Sequence, residues 1–490
     1  MTGGKKAQRA RPHRKALLLL QRINRRHVKL AVAGTLAITS LSLQPVRNAL
    51  DQIRSSGELH LVGVSSPGTF FQQDGHIHGL QYELARQFAN ELGVKLVVDP
   101  VESPQRVLHA IRRNQAQLAL TGITAEDPRL KRLRVSDPVI EVRQQLVQRN
   151  DQIPPASLQD LGGRVIGVMA GTAEATHLKN QLRGVDGVKL VELRQGQTLD
   201  LLSLLDEGRI DFVAVNSQDF DAFRPLFPAL RDSLSLDRTD GVSWVFLKSQ
   251  DQSLYQAAQD FLARKQADGT LQRLTDFYSN GNVFDSYGAR SFSRDIAKRL
   301  PRYQGDFEKQ SRAQGLDWRL LAAISYQESK WNPDAVSPTG VRGLMMLTSS
   351  TAAAMGVKDR THAGESIQGG TAYFKQIHDK VPASVPEPDR TWMALAAYNM
   401  GPGHMIQARK LTKRLKGDPD SWLDVSRNLR QLAQENRRRG KPAPDVGQAL
   451  HYVQQVRRYY DAIALNTSVQ REATRVAALD FDISTTTALR

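Results

Sequence analysis

The sequence predicts two joined folds: a two-lobed α/β domain, then a mainly α domain. Three observations carry this. Residues 51–278 alternate short apolar runs with four-residue apolar spacings, the signature of strands and amphipathic helices in turn. The polar, glycine-bearing stretch SNGNVFDSYGAR at 279–290 interrupts that rhythm. Past residue 290 the strand signals vanish and helical spacing takes over. The 490 residues leave room for two to four domains, and 40% apolar with 24% charged residues is an ordinary globular balance. There is no cysteine, so disulfides, thiolate metal sites and cysteine nucleophiles are excluded.

Taken in order, Leu59–Val64 reads as a buried strand. Leu80, Leu84, Phe88 and Leu92 recur every four residues and make one face of a helix over Leu80–Leu92. Lys95–Val98 is a strand, Val107–Arg113 a helix and Leu118–Leu120 a strand, which completes a parallel βαβαβ unit. A second unit repeats the pattern: strand Arg164–Val168, helix Thr172–Leu182, strand Lys189–Leu193, helix Thr198–Glu207, strand Ile210–Val215. Val242–Leu247 then leads into an amphipathic stretch from Ser253 to Tyr278. Residues 281–290 are expected as a linker. In the second half, Asp317–Lys330, Ser366–Val381, Thr391–Asn399 and Val446–Leu465 are predicted helices, and 466–490 a loose tail. The expected domains are therefore 51–280 and 291–465.

The formal net charge is +17, but residues 1–50 hold eleven Lys or Arg and no acid, leaving only +6 for the rest. A nucleic-acid partner is not expected, because the excess lies in the tail rather than on a folded face. The basic segment Lys5–Lys29 precedes the 14-residue run Leu30–Leu43, which is short for a bilayer span and suits an export signal. A disordered basic tail and an uncleaved anchor at residues 30–43 stay open.

Several stretches of the first half resemble the periplasmic solute-binding domains of the amino-acid-binding type: GELHLVGVSS, GLQYELARQFANELGVKL, LALTGITAEDPRLKRLRVSDPV and ADGTLQRLTDFY, in that order. The resemblance implies two lobes around a ligand cleft. It places the family's carboxylate-clamping arginine on Arg129, its second-lobe threonine on Thr172 and its ammonium-receiving position on Asn216. Asn216 departs from the family's acidic residue, so a free amino acid is disfavoured as ligand. His76 and His78 form an H-x-H pair with no third ligand nearby in sequence, and no metal or other cofactor is expected.

The second half concentrates its chemistry at LLAAISYQESKWNPDAVSPTGVRGLMML, residues 320–347. Glu328 lies one turn beyond Ile324, at the C-terminal end of an apolar helix. The helix dipole and apolar neighbours both raise a carboxyl pKa there, as a general acid requires. The segment resembles the catalytic domain of the soluble lytic murein transglycosylases, which have a lysozyme-like fold. Glu328-Ser329, Ser337, Gly343-Leu344-Met345-Met346, Ala396-Ala397-Tyr398-Asn399 and Tyr452-Val453 carry the likeness. The pairing with a solute-binding domain, and GLMMLT, resembles a membrane-bound branch of these enzymes. The resemblance implies Glu328 as sole acid and base, with Ser337, Met346, Tyr398, Asn399 and Tyr452 binding substrate. Met346 replaces a usual glutamine, and Gln448 stands where glutamate is common. Asp334, the nearest other acid, reads as a solvated turn residue. Trp331 and Trp392 read as buried anchors rather than sugar platforms, and Arg437–Lys441 as a solvated loop.

The implied reaction cleaves the β-1,4 bond between N-acetylmuramic acid and N-acetylglucosamine of peptidoglycan, leaving a 1,6-anhydro end. A small ligand, muropeptide or wall-derived peptide, is expected in the N-terminal cleft. The expected place is the periplasm, peripheral to the outer membrane, with an inner-membrane anchor as the alternative. A hydrolytic lysozyme and a catalytically silent sensor stay open as other readings.

Overall fold

The structure, a computed structural model, describes residues 48–476 and 487–488 apart from 67–68, 74–75, 102, 195–196, 279–285 and 339. The expected export segment lies outside the described residues. The chain comprises an α/β half of two lobes and a helical half, as its sequence predicts.

The strands are β1 (Glu58–Val64), β2 (Phe71–Gln73), β3 (His76–His78), β4 (Lys95–Val101), β5 (Leu118–Thr124), β6 (Leu133–Arg149), β7 (Val165–Met169), β8 (Lys189–Leu193), β9 (Phe212–Asn216), β10 (Leu230–Leu247) and β11 (Thr487–Ala488). One sheet runs through both lobes in the order β11-β8-β7-β9-β6-β10-β5-β1-β4, and β2 and β3 form a separate hairpin. In the first lobe β1 pairs in parallel with β4 and β5. In the second, β7 pairs in parallel with β8 and β9. The connecting helices cover these parallel strands, as βαβ crossovers require. The Leu80–Leu92 helix buries Leu80, Leu84, Ala85, Phe88 and Ala89 and ends on Gly93, whose left-handed φ of 76° closes the turn.

The lobes are joined by β6 and β10, which pair antiparallel from Leu133↔Leu247 to Arg149↔Leu230 with several register shifts. The sequence reading recognises only the last six residues of β10 and no strand at β6. Charged residues and Pro138 break the alternation that marks a strand, yet the segments pair because each serves two cores in succession. On β6, Val142 enters the first-lobe core while Leu146 and Val147 enter two second-lobe clusters; on β10, Val242 enters the first-lobe core while Leu230 and Leu236 enter those clusters. The stretch Ser253–Tyr278 is two helices, Ser253–Ala267 and Thr270–Tyr278, parted at Gly269 (φ 72°).

In the helical half, the Trp318–Ser329 helix sits at the centre, with Leu320 through Tyr326 all buried. The terminal helix, Val446–Val476, packs against it and against the Asp389–Met400 helix. Two expectations of extent are corrected. Residues 286–290, read as linker, begin the Ser286–Lys298 helix. The helix expected to stop at Leu465 continues to Val476, and Thr487–Ala488, read as loose tail, pairs with β8.

The halves meet along the terminal helix. His78 on β3 hydrogen-bonds Asp461 at 2.6 Å, and both are buried. Its ring stacks between Phe71 and Tyr460. Arg86 reaches Glu83 on its own helix and Asp389 in the helical half. Arg457 lies over the rings of Phe277 and Tyr278, and Leu465 enters the core of the second lobe.

Candidate active site

The Glu328 helix opens on Asp317, whose carboxylate accepts the N–H of Arg319. It closes on Lys330, which takes the left-handed conformation (φ 54°). The terminal helix runs antiparallel to it and fastens both ends. Tyr460 donates to Asp317 at 2.7 Å, and Tyr452 donates to Glu328 Oε1 at 2.7 Å. Two tyrosines eight residues apart on one helix, about 12 Å along its axis, thus fix the orientation of the other.

Burial raises the Glu328 carboxyl from its usual range to about 7, and the Tyr452 hydroxyl and the Lys330 charge hold it from going higher. The carboxyl therefore exchanges its proton near neutral pH, as an acid that later acts as base requires. Lys330 is pushed down to about 8 by burial; its ammonium lies over the rings of Tyr326 and Tyr459 and donates to the Tyr459 hydroxyl at 3.1 Å.

The loop facing Glu328 is held by hydroxyls. Ser329 and Ser325 both donate to the carbonyl of Leu344, at 2.9 and 3.0 Å. Gly343 has φ 84°, and a Cβ there would lie 1.7 Å from the carbonyl oxygen of Arg360, so only glycine fits. Met346 is also left-handed (φ 47°) and half-buried beside it. Tyr398 donates to the carbonyl of Met345 at 3.1 Å and stacks on Tyr452, with ring centroids 6.3 Å apart. Tyr373 flanks Tyr398 on another side.

The structure thus gathers Glu328, Tyr452, Tyr398 and the Met346 turn. Ser337 has its hydroxyl on the N–H of Val341, within the loop. Asn399 is half-buried, and its side chain has no hydrogen-bond partner among the described residues. Asp334 and Gln448 are exposed. Trp331 is buried and donates to the carbonyl of Ala322, and Trp392 is buried, so both are anchors. Sequence reasoning misses the loop-holding role of Ser329, which its apposition to a glycine-led turn signals, and misses Tyr373, which carries no motif.

Two family models match: the transglycosylase SLT domain over residues 306–420, and bacterial extracellular solute-binding proteins, family 3, over residues 61–281. Membrane-bound lytic murein transglycosylase F of Ectopseudomonas mendocina is 39% identical over 91% of this chain and 93% of its own. The protein of the same name from Alcanivorax borkumensis is 39% identical over 90% of this chain and 95% of its own. The chain belongs to the membrane-bound lytic murein transglycosylase F family. A solved structure of a mutant ArgBP from T. maritima aligns with 47% of this chain and 98% of its own at 26% identity, with a TM-score of 0.41.

This transglycosylase F family member carries a second cleft, between the lobes of its solute-binding half. The cleft has a volume of about 120 Å³, is open to solvent and brings together the three positions expected from sequence, Arg129, Thr172 and Asn216. Thr172 caps the Ala173–Gln181 helix by accepting the N–H of Ala175. Asn216 caps the Ser217–Phe223 helix by accepting the N–H of Asp219. Two lining acids escape the sequence reading, Glu174 and Asp219. Withdrawal from water raises both carboxyls, Asp219 to about 6. Asp219 was legible as an acid three residues beyond the expected ammonium position. His78, the second histidine of the H-x-H pair, is taken up by Asp461.

Proposed function

We propose that this chain is a peptidoglycan lytic transglycosylase in which Glu328 is the only acid and base. The observation that carries the reading is a carboxyl withdrawn from water, titrating near neutrality and aimed by a tyrosine hydroxyl at 2.7 Å. Protonated Glu328 gives its proton to the oxygen linking N-acetylmuramic acid to N-acetylglucosamine. The C1–O bond breaks, and the substrate's own acetamido group stabilises the oxocarbenium-like centre. Glu328, now a carboxylate, takes the proton of the muramoyl C6 hydroxyl, whose oxygen bonds C1. Acid and base are then restored, and no water enters. Ordinary glycosidases need a second carboxylate at a set separation. Asp334 is exposed, and Asp295 is committed to Tyr326 and two arginines, which supports a one-carboxyl route. Tyr398, Tyr452 and Met346 line the sugar site, with Ser337 and Asn399 on its margin.

The solute-binding half takes a small ligand in its cleft and is not catalytic. The chain works in the periplasm as a peripheral protein of the outer membrane. Among the described residues no helix is long and apolar enough to cross a membrane. Mass spectrometry of soluble products from purified peptidoglycan tests the chemistry. Products lighter than hydrolytic ones by one water, about 18 Da, are expected from the lyase route. Reducing-end products would make the protein a lysozyme, and retention on the sacculus without products would make it a sensor.

A further inference from the structure

Residues 402–441 hold eleven Lys or Arg against four acids, a net +7, although residues 51–490 together carry only +6. The expectation that the positive excess lies in the N-terminal tail therefore misses a concentration of it on the folded helical half. Two packed helices carry it, Pro402–Arg414 and Trp422–Arg438. The Asn436 amide donates to Gln407 at 3.0 Å, and the Arg414 guanidinium donates to Glu435 at 2.7 Å, so the outer faces of the two helices lie side by side.

The exposed positions of the second helix, Arg427, Arg430, Gln431, Gln434 and Arg437, recur every three or four residues and include no acid. The four acids of the segment are engaged within it. Asp420 pairs with Arg409, and Glu435 lies between Arg414 and Arg439. Asp424 accepts the N–H of Asp418, and Asp418 that of Asp420. Lys410, Lys413, Lys416, Arg427, Arg430 and Arg437 are all exposed and form no ion pair among the described residues. Two large apolar side chains stand in the same field. Ile406, one turn before Lys410, is 48% exposed, and Leu415, between Arg414 and Lys416, is 44% exposed.

Unpaired cations on one face repel each other and call for an anionic partner. A soluble polyanion would answer the cations but leave Ile406 and Leu415 in water. A bilayer answers both: lipid phosphates meet the Lys and Arg heads, and the apolar pair enters the headgroup–acyl boundary. We propose that the outer face of the Pro402–Arg414 and Trp422–Arg438 helices docks on an anionic lipid surface. This rests on the reading of the chain as a peripheral membrane protein and assigns the face that makes the contact.

The chain has no cysteine, so Leu415→Cys, Ile406→Cys and Ile153→Cys each place one environment-sensitive fluorophore on the full chain. Ile153, 92% exposed on the second lobe, is the control. The apolar run at 30–43 is common to all three, so only the local signal distinguishes them. Vesicles of phosphatidylethanolamine with one-quarter phosphatidylglycerol should shift the labels at 406 and 415 to the blue and leave that at 153 unmoved. Pure phosphatidylcholine should shift none, and 0.5 M salt should abolish the response. Each surface cation multiplies affinity for an anionic bilayer by about fivefold, so Lys413→Gln/Arg427→Gln/Arg430→Gln should weaken the response by about a hundredfold at unchanged Tm and product release. Sedimentation with the vesicles while the labels at 406 and 415 stay unmoved would overturn the assignment of this face and leave the peripheral-membrane reading standing. No sedimentation at all would overturn both. A response to purified peptidoglycan but not to lipid would give the face to the wall polymer and overturn the proposal, as would an undiminished response in the triple variant.

Discussion

Replacing Tyr452 by phenylalanine removes one hydroxyl and keeps the ring. In the native chain that hydroxyl donates to Glu328 at 2.7 Å and lowers its pKa against the effect of burial. A hydrogen bond to a charged group is worth about 1.5–3 kcal/mol, and about 1.4 kcal/mol corresponds to one pH unit. The carboxyl, near 7 with the tyrosine in place, should therefore rise to about 8 or 9 without it. An acid catalyst works only while protonated, so kcat/KM of the native chain falls as pH climbs past about 7. In Tyr452→Phe this alkaline limb should move up by one to two pH units. The variant's deficit would then be largest at acid pH and shrink above pH 8. The assay is the initial rate of product release from a soluble glycan between pH 5 and 9.5, with kcat/KM reporting the free enzyme. An alkaline limb that stays in place, or moves down, would refute the claim that Tyr452 steadies the ionised carboxylate of the catalytic acid.

Three further outcomes follow from the same geometry. Glu328→Gln should lower turnover by roughly 10²–10⁴-fold, the usual contribution of a general acid and base. It should also stabilise the fold at pH 8. The folded carboxyl is raised from 4.5 to about 7, so the folded state holds a proton that the unfolded state gives up, and stability drains away as pH rises through that window. The loss is about 3 kcal/mol above pH 7 and absent below 4.5, so Tm of variant and native chain should coincide near pH 4.5 and part at pH 8. Gly343→Ala should cost well over 1 kcal/mol and unseat the Met346 turn, visible as lost activity with a lowered Tm. Tyr460→Phe strips a 2.7 Å bond from buried Asp317 and should lower stability by about 1–3 kcal/mol while leaving the pH profile of Glu328 in place.

Elements with a single environment were legible in the sequence. The Leu80–Leu92 helix has one apolar face against one core, and its bounds follow from spacing alone. The strands β7 and β8 are buried runs between turn residues and are found within a residue or so. Elements that serve two environments were not. β6 and β10 leave one lobe's core and enter the other's, so neither has a constant period. The terminal helix reaches the second lobe at Leu465, which enters a core formed by residues far away in sequence, so its extent was not marked by a local period. At the active site, Glu328 and the aromatic positions were visible as motifs. The Tyr460–Asp317 clasp was not, because it joins residues 143 apart and neither is unusual where it stands. In the cleft, the sequence suggested that Arg129 was available, whereas its geometry is satisfied from within by Asp127 two residues earlier.

The long terminal helix also governs how this protein can be divided. It stays in the catalytic core from Val446 to Ile463, receives His78 at Asp461 and lodges Leu465 among the leucines and phenylalanines of the far lobe. A cut between the halves would leave them clasped by Arg86 on Asp389 and by this helix. A catalytic fragment expressed alone would bare the aromatic and apolar side chains that now face inward, and a binding fragment alone would lack a piece of its own core. Neither half is a cassette that recombination can exchange at one seam. A workable transplant must carry the last helix along with the lobes it fills.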